Sequence, residues 1–183
     1  WGKNHIKTLN ELKILGGIID KDRNMLVDLK SKYPQASIHD NYESSCKKNY
    51  DGYVISTPSI THVPITKKIL HDGKPVLVEK PLSLNLKDAL EIKRVLNETN
   101  GKLIVGHLLL FHPAINRMKE LIIDEKIGKI QYIYSNRLNL GTVRKDENVF
   151  WSFAPHDLAL FQYFSNEFPN EVSSIGGDFL QKK

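Results

Sequence analysis

Glu79-Lys80-Pro81 closes a short apolar run, Pro75-Val76-Leu77-Val78, and stands ahead of a strongly helical stretch. Unlike residues are thus set where a buried parallel strand would end. In open α/β sheets ligands bind along that carboxyl edge. An acid accepts hydrogen bonds from hydroxyls, a lysine donates them or carries a proton, and a proline fixes the turn. Alone, the tripeptide is better explained as a charged pair capping a strand before a turn. The rest of the chain reverses that reading.

The elements around it alternate. Residues 4–12 suit a short helix. Ile14-Leu15-Gly16-Gly17-Ile18-Ile19 is an apolar run ending at Asp20. Residues 25–32 suit a helix stopped by Pro34, residues 36–38 a weak strand, and residues 42–48 a short helix. Tyr53-Val54-Ile55 is a strand that stops at Ser56-Thr57-Pro58, and Ser59 or Thr61 can cap the following helix, which carries Val63, Ile65, Ile69 and Leu70. Gly73 ends that helix before residues 75–78 form the next strand. Residues 85–97 make the strongest helix, with Asn85 and Asp88 as an N-terminal cap, and Leu103-Ile104-Val105 follows Gly101. Short apolar strands alternating with amphipathic helices imply a parallel sheet covered on both faces. The pattern changes near residues 106–111. Beyond it come a helix at 113–123, strand-like alternation at 130–140, a polar loop at 141–148, a helix at 155–164 and a further strand at 171–180. The expected architecture is α/β: a Rossmann-type doubly wound parallel sheet over residues 1–107, followed by a partial α+β domain over 108–183 with a mostly antiparallel sheet.

A doubly wound nucleotide-binding domain opens with a strand running into Gly-x-Gly-x-x-Gly. Here Trp1-Gly2-Lys3-Asn4-His5 opens a helix directly, so the first strand and first two glycines are expected to be missing, and Gly2 fits the third glycine. Asp20 follows the second strand, about 20 residues past the expected fingerprint. It would accept hydrogen bonds from the adenosine ribose and repel a 2′-phosphate, which favours NAD over NADP, although Arg23 lies close by. Without that strand the chain is expected to bind NAD poorly.

The chain has 183 residues, 40% hydrophobic and 26% charged, with a formal charge of +5. Its basic residues are scattered among acids, so no nucleic-acid stripe forms. The single cysteine, Cys46, cannot form an internal disulfide, and no second thiol or histidine cluster lies at metal spacing. No apolar run approaches the ~20 residues of a membrane span, and the chain shows no signal peptide. The expectation is a soluble cytoplasmic protein without metal, although the chain begins without an initiator Met.

With these residues in hand, the chain resembles the glucose–fructose oxidoreductase/inositol dehydrogenase family of sugar and cyclitol dehydrogenases. The matching pieces are Trp1-Gly2-Lys3-Asn4-His5, Ser56-Thr57-Pro58 with His62, Glu79-Lys80-Pro81, and Pro155-His156-Asp157. The resemblance implies that Thr57, Pro58 and His62 lie near the nicotinamide half of NAD, that Glu79 contacts the nicotinamide ribose, that Lys80 reaches the substrate, and that the Lys80–Pro81 bond is cis. His156 fits the family's proton acceptor, but Ser152 stands where an acid is common. The stretch 148–157 is similar to a nucleotide-sugar branch that places the acid after the histidine, here Asp157.

The implied chemistry is oxidation of a secondary alcohol on a sugar ring. His156 takes the hydroxyl proton and Lys80 stabilises the same oxygen. Arg137, Arg144, Lys145 and Asn148 flank the second-domain loop and could bind a diphosphate, with Trp151 and Asp157 on the same substrate side. The substrate expected is a UDP-linked N-acetylated hexose or hexuronate oxidised at C3, with a free sugar or inositol close behind. A non-catalytic sensor of NAD or sugar on the same fold is the contrasting class, and retention of Lys80 and His156 argues against it. Relatives of this kind lead to the expectation of a homo-oligomer.

Overall fold

The computed structural model describes residues 1–138 and 148–177. These form two compact units. One holds Trp1–His107 together with residues 148–155, and the other holds residues 108–138 and 156–177.

The first unit alternates helix and strand throughout: α1 (Gly2–Glu11), β1 (Gly17–Ile19), α2 (Arg23–Lys32), β2 (Ser37–His39), α3 (Tyr42–Cys46), β3 (Tyr53–Ile55), α4 (His62–His71), β4 (Val76–Val78), α5 (Leu86–Thr99) and β5 (Leu103–Val105). Every ladder is parallel. β1 pairs with β2, Ile18 opposite Ile38, in one sheet. β3, β4 and β5 form the other, with Val54 opposite Leu77 and Leu77 opposite Ile104. Among the described residues no ladder joins β1 to β3. This is a Rossmann fold.

Local chemistry explains the punctuation. The Asp22 carboxylate accepts the Asn24 and Met25 amides at 2.9 and 3.2 Å, which starts α2 two residues before the apolar periodicity does. Lys30 ends that helix by donating to the Pro34 and Ala36 carbonyls. The α5 cap forms as expected: Asn85 Oδ1 accepts the Asp88 amide at 2.9 Å and its amide donates to the Asp88 carboxylate. Asn100, left-handed at φ 47°, stops the helix. The expected Ser59 or Thr61 cap on α4 does not form. Thr61 instead donates to the Pro58 carbonyl at 2.7 Å and bonds the Thr57 hydroxyl at 2.6 Å, closing a 3-10 turn over Ser59–Thr61.

The interior divides with the sheets. Leu15, Ile18, Leu26, Leu29, Tyr33 and Ala36 pack α2 against β1 and β2, with Ile6 and Leu9 of α1 beside them. Ile55, Ile69, Leu70, Val76, Val78 and Val95 fill the space between α4, α5 and the three-stranded sheet. Val78 is wholly buried, so the strand leading to Glu79 is anchored at the centre of its layer.

The second unit holds a 3-10 turn over Leu108–Phe111, α6 (Pro113–Ile123) and the later turns of α7 (Val149–Ser165). Lys119 Nζ ties α6 to α7 by donating to the Tyr163 carbonyl at 2.6 Å. The expected helix from 155 starts earlier, at Val149, with Pro155 inside it. The strands expected at 130–140 and 171–180 are not formed among the described residues, nor is an antiparallel sheet. A strand needs a ladder partner, and alternation alone does not supply one. Tyr132, Tyr134 and Val172 are accordingly exposed. No helix among the described residues is long and apolar enough to cross a membrane.

Candidate active site

Backbone ladders run one residue past the strands and fix the first residue of each turn. The Asp20 amide donates to the His39 carbonyl at 3.2 Å, the Glu79 amide to the Ile55 carbonyl at 2.9 Å, and the Gly106 amide to the Val78 carbonyl at 2.7 Å. Asp20, Glu79 and Gly106 are thereby pinned at the carboxyl ends of β1, β4 and β5.

Glu79 is 7% exposed. Its Oε1 lies 2.7 Å from His5 Nε2 of α1, so a histidine 74 positions away holds this carboxylate. On the other side, a Cβ at Gly106 would stand 3.2 Å from Glu79 Oε2 and 3.4 Å from its Cα. A side chain there would press on the carboxylate by a few tenths of an ångström. The role of His5 as partner was not legible, because its spacing from Glu79 has no period.

Lys80 is half-buried, and its ammonium donates to the Ser152 carbonyl at 2.8 Å. The Lys80–Pro81 bond is cis. Continuing the β4–β5 register past Val78–Val105 sets Lys80 opposite His107. His107 was missed by sequence reasoning, and its place directly after β5 was the signal available. Burial, aided by the positive charge of Lys80, holds its pKa below the ordinary imidazole value. Its Nδ1 is buried without a hydrogen-bond partner.

Gly2 backs onto the turn after β3, where a Cβ would meet Ser56 Oγ at 3.0 Å. The first turn of α1 carries no acid and no side-chain cap. Asp20 Oδ1 accepts the Asp22 amide at 2.9 Å, which orients the carboxyl at the edge of β1. Arg23 lies 3.9 Å from Asp40. Thr57 and Pro58 are exposed, whereas His62 is 2% exposed, with one ring nitrogen 2.8 Å from the Thr57 carbonyl oxygen and the other 2.8 Å from that of Pro81. An uncapped helix start, an acid after β1 and a buried acid after β4 fit a nicotinamide dinucleotide: diphosphate to the first, ribose hydroxyls to the others.

Arg137 and Asp157 do not stand as separate ligand groups. Arg137 Nε donates to Asp157 Oδ2 and Nη2 to Oδ1, both at 2.9 Å, and the Ser135 hydroxyl adds a third bond at 2.8 Å. The Arg fork expected to meet phosphate is engaged by a carboxylate of matching geometry. Burial works to raise the Asp157 pKa, but the Arg137 and Ser135 hydrogen bonds outweigh it and hold the carboxyl below its ordinary value. A depressed carboxylate stabilises the fold above its unfolded pKa, and the contribution is lost as pH falls through the native value. Arg137→Ala is therefore expected to lower stability by about 1 kcal/mol at neutral pH, because the arginine is partly exposed. Urea midpoints at pH 7 and pH 3 check this: the gap between wild type and variant should close at the lower pH.

Asn148 also has a structural task. Its Oδ1 accepts the Trp151 amide at 3.0 Å, which caps α7. The Trp151 ring packs edge-on against Phe150. His156 lies inside α7, half-buried, not at a helix start. Arg144 and Lys145 lie outside the described residues.

Residues 1–107 match the family model GFO_IDH_MocA, described as an oxidoreductase family with an NAD-binding Rossmann fold. Over 117 residues the chain is 35% identical to 1-carboxy-3-chloro-3,4-dihydroxycyclohexa-1,5-diene dehydrogenase of Comamonas testosteroni, which covers 63% of this chain and 30% of that protein. It is 28% identical over 127 residues to UDP-N-acetylglucosamine 3-dehydrogenase of Acidithiobacillus ferrooxidans, 69% of this chain and 39% of that one. Among solved structures, a probable dehydrogenase from Thermotoga maritima superposes with a TM-score of 0.78 at 24% identity, covering 90% of this chain and 52% of that one. The last likeness concerns the fold alone. The chain spans well under half the length of these curated relatives.

Proposed function

The chain belongs to the GFO_IDH_MocA oxidoreductase family, and on that premise we propose an NAD-dependent dehydrogenase that oxidises a secondary hydroxyl on a sugar or nucleotide-sugar ring. The observation that carries this reading is Lys80: a half-buried ammonium at the carboxyl edge of a central strand, beside a buried glutamate. Lys80 donates to the reacting oxygen and stabilises its developing negative charge. His156 accepts the hydroxyl proton. Glu79 receives a hydrogen bond from the nicotinamide ribose, and Asp20 receives those of the adenosine ribose, with Thr57 and Pro58 lining the channel between. Asp20 disfavours a 2′-phosphate, and Arg23 is drawn toward Asp40, so NAD is preferred to NADP. A bound nicotinamide supplies the hydride acceptor; the protein supplies position and electrostatics.

The specific substrate we favour is a UDP-linked N-acetyl-hexose or hexuronate, oxidised at C3. Similarity to a UDP-N-acetylglucosamine 3-dehydrogenase supports it. One observation favours a free sugar or inositol instead: Arg137, put forward for the diphosphate, already bonds Asp157. NADH formation by the full-length protein, given NAD and a panel of UDP-sugars, free hexoses and inositols, decides between them. Signal with UDP-sugars alone supports the first. Signal with free rings supports the second. Silence with every substrate overturns the activity.

A further inference from the structure

His62 opens α4 and is almost fully enclosed. Its Nδ1 stands 2.8 Å from the Pro81 carbonyl oxygen and its Nε2 stands 2.8 Å from the Thr57 carbonyl oxygen. Carbonyl oxygens accept and never donate. One carbonyl belongs to the turn after β4, next to Lys80, and the other to the turn after β3. A single ring therefore bridges the two turns that the proposed chemistry uses, and both of its nitrogens are occupied in doing so.

We propose that His62 is a positioning residue: its ring spans the Pro81 and Thr57 carbonyls, ties the Lys80–Pro81 turn to the Thr57–Pro58 turn, and thereby sets where the Lys80 ammonium stands. This assignment replaces the direct cofactor contact expected for His62. Lys80 is then held from two directions, at its ammonium by the Ser152 carbonyl and at its backbone through Pro81. Neither tie uses a group that the proposed reaction consumes. The strut stands on geometry alone; only its effect on turnover rests on the proposed dehydrogenase activity.

Two measurements on the full-length protein test it. In 1H–15N spectra of histidine-labelled protein, a His62 ring N–H is expected to be hydrogen-bonded and protected from exchange with solvent, and a ring N–H that exchanges freely overturns the strut. The spectrum reads the same whether or not any substrate turns over, so failure of the strut is distinct from failure of the activity. His62→Phe keeps the bulk of the ring and removes both nitrogens, while His62→Gln keeps an N–H donor. In the Phe variant kcat is expected to fall about 30-fold while the KM for cofactor moves less than about threefold, since a misplacement near 1 Å can cost two orders of magnitude. The Gln variant should recover part of the loss. A folded Phe variant with wild-type kcat overturns the positioning role. If the Phe variant does not fold, wild-type kcat in the Gln variant does so.

Discussion

Replacing Lys80 with alanine is expected to reduce kcat/KM by about 10²–10³-fold, the usual loss on removing one donor from a developing oxyanion. Cofactor affinity should stay within about threefold, because a group acting on the substrate oxygen alone contributes little to ground-state binding elsewhere. The variant should also fold. The methylene stem is half-buried, and the Ser152 carbonyl, which loses the ammonium as a donor, belongs to a helix and can turn to water. The pattern to look for is loss of turnover with cofactor binding kept, measured by steady-state kinetics and by quenching of protein fluorescence with NADH. Equal loss of both would mean that Lys80 shapes the cofactor seat. Normal turnover would remove it from the chemistry.

Glu79→Ala should do the reverse. Its carboxylate is enclosed by His5 and by the backbone of Gly106. Deleting it leaves the His5 ring without its partner and opens a polar hole, a change that costs about 1–3 kcal/mol of stability. The same deletion removes an acceptor proposed for the nicotinamide ribose. Losing a hydrogen bond to a charged group is worth about 1.5–3 kcal/mol, so the cofactor dissociation constant should rise roughly 10–100-fold. Glu79→Gln, which keeps the shape and one acceptor oxygen, should lie between. Urea unfolding reads the first effect and NADH titration the second. A shifted unfolding midpoint with unchanged cofactor affinity would leave Glu79 a purely architectural residue.

How much of this was legible in the sequence depends on distance along the chain. Asn85 caps α5 by accepting the amide of Asp88 three residues on, and a short-range pattern of that kind can be read directly. The apolar triplets at 53–55, 76–78 and 103–105 became parallel strands because a turn and a helix long enough to return the chain separate each from the next. The strands expected at 130–140 and 171–180 do not form among the described residues for the opposite reason: alternation describes a face, and ladder hydrogen bonds must come from a partner that the same pattern does not identify. The candidate site divides in the same way. Glu79 and Lys80 declared themselves by ending a strand. Arg137 and Asn148 read as ligand groups because a lone charge or amide in sequence looks available, yet one is tied to Asp157 and the other to the Trp151 amide. His5 and His62 act through partners that no spacing rule connects to them.

Among the described residues β4 is the only strand bonded along both edges, whereas β1 and β3 are each bonded along one. Hydrogen exchange turns that inequality into an order of opening. Amides in a doubly bonded, buried strand are released only by the deepest fluctuations, and those along a single ladder are released by shallower ones. Lys80 thus hangs from the last strand to yield, while Asp20 belongs to a sheet of two strands that yields sooner. On the proposed roles, the edge assigned to the adenosine ribose opens on one clock, while the edge that carries Lys80 opens on a slower one.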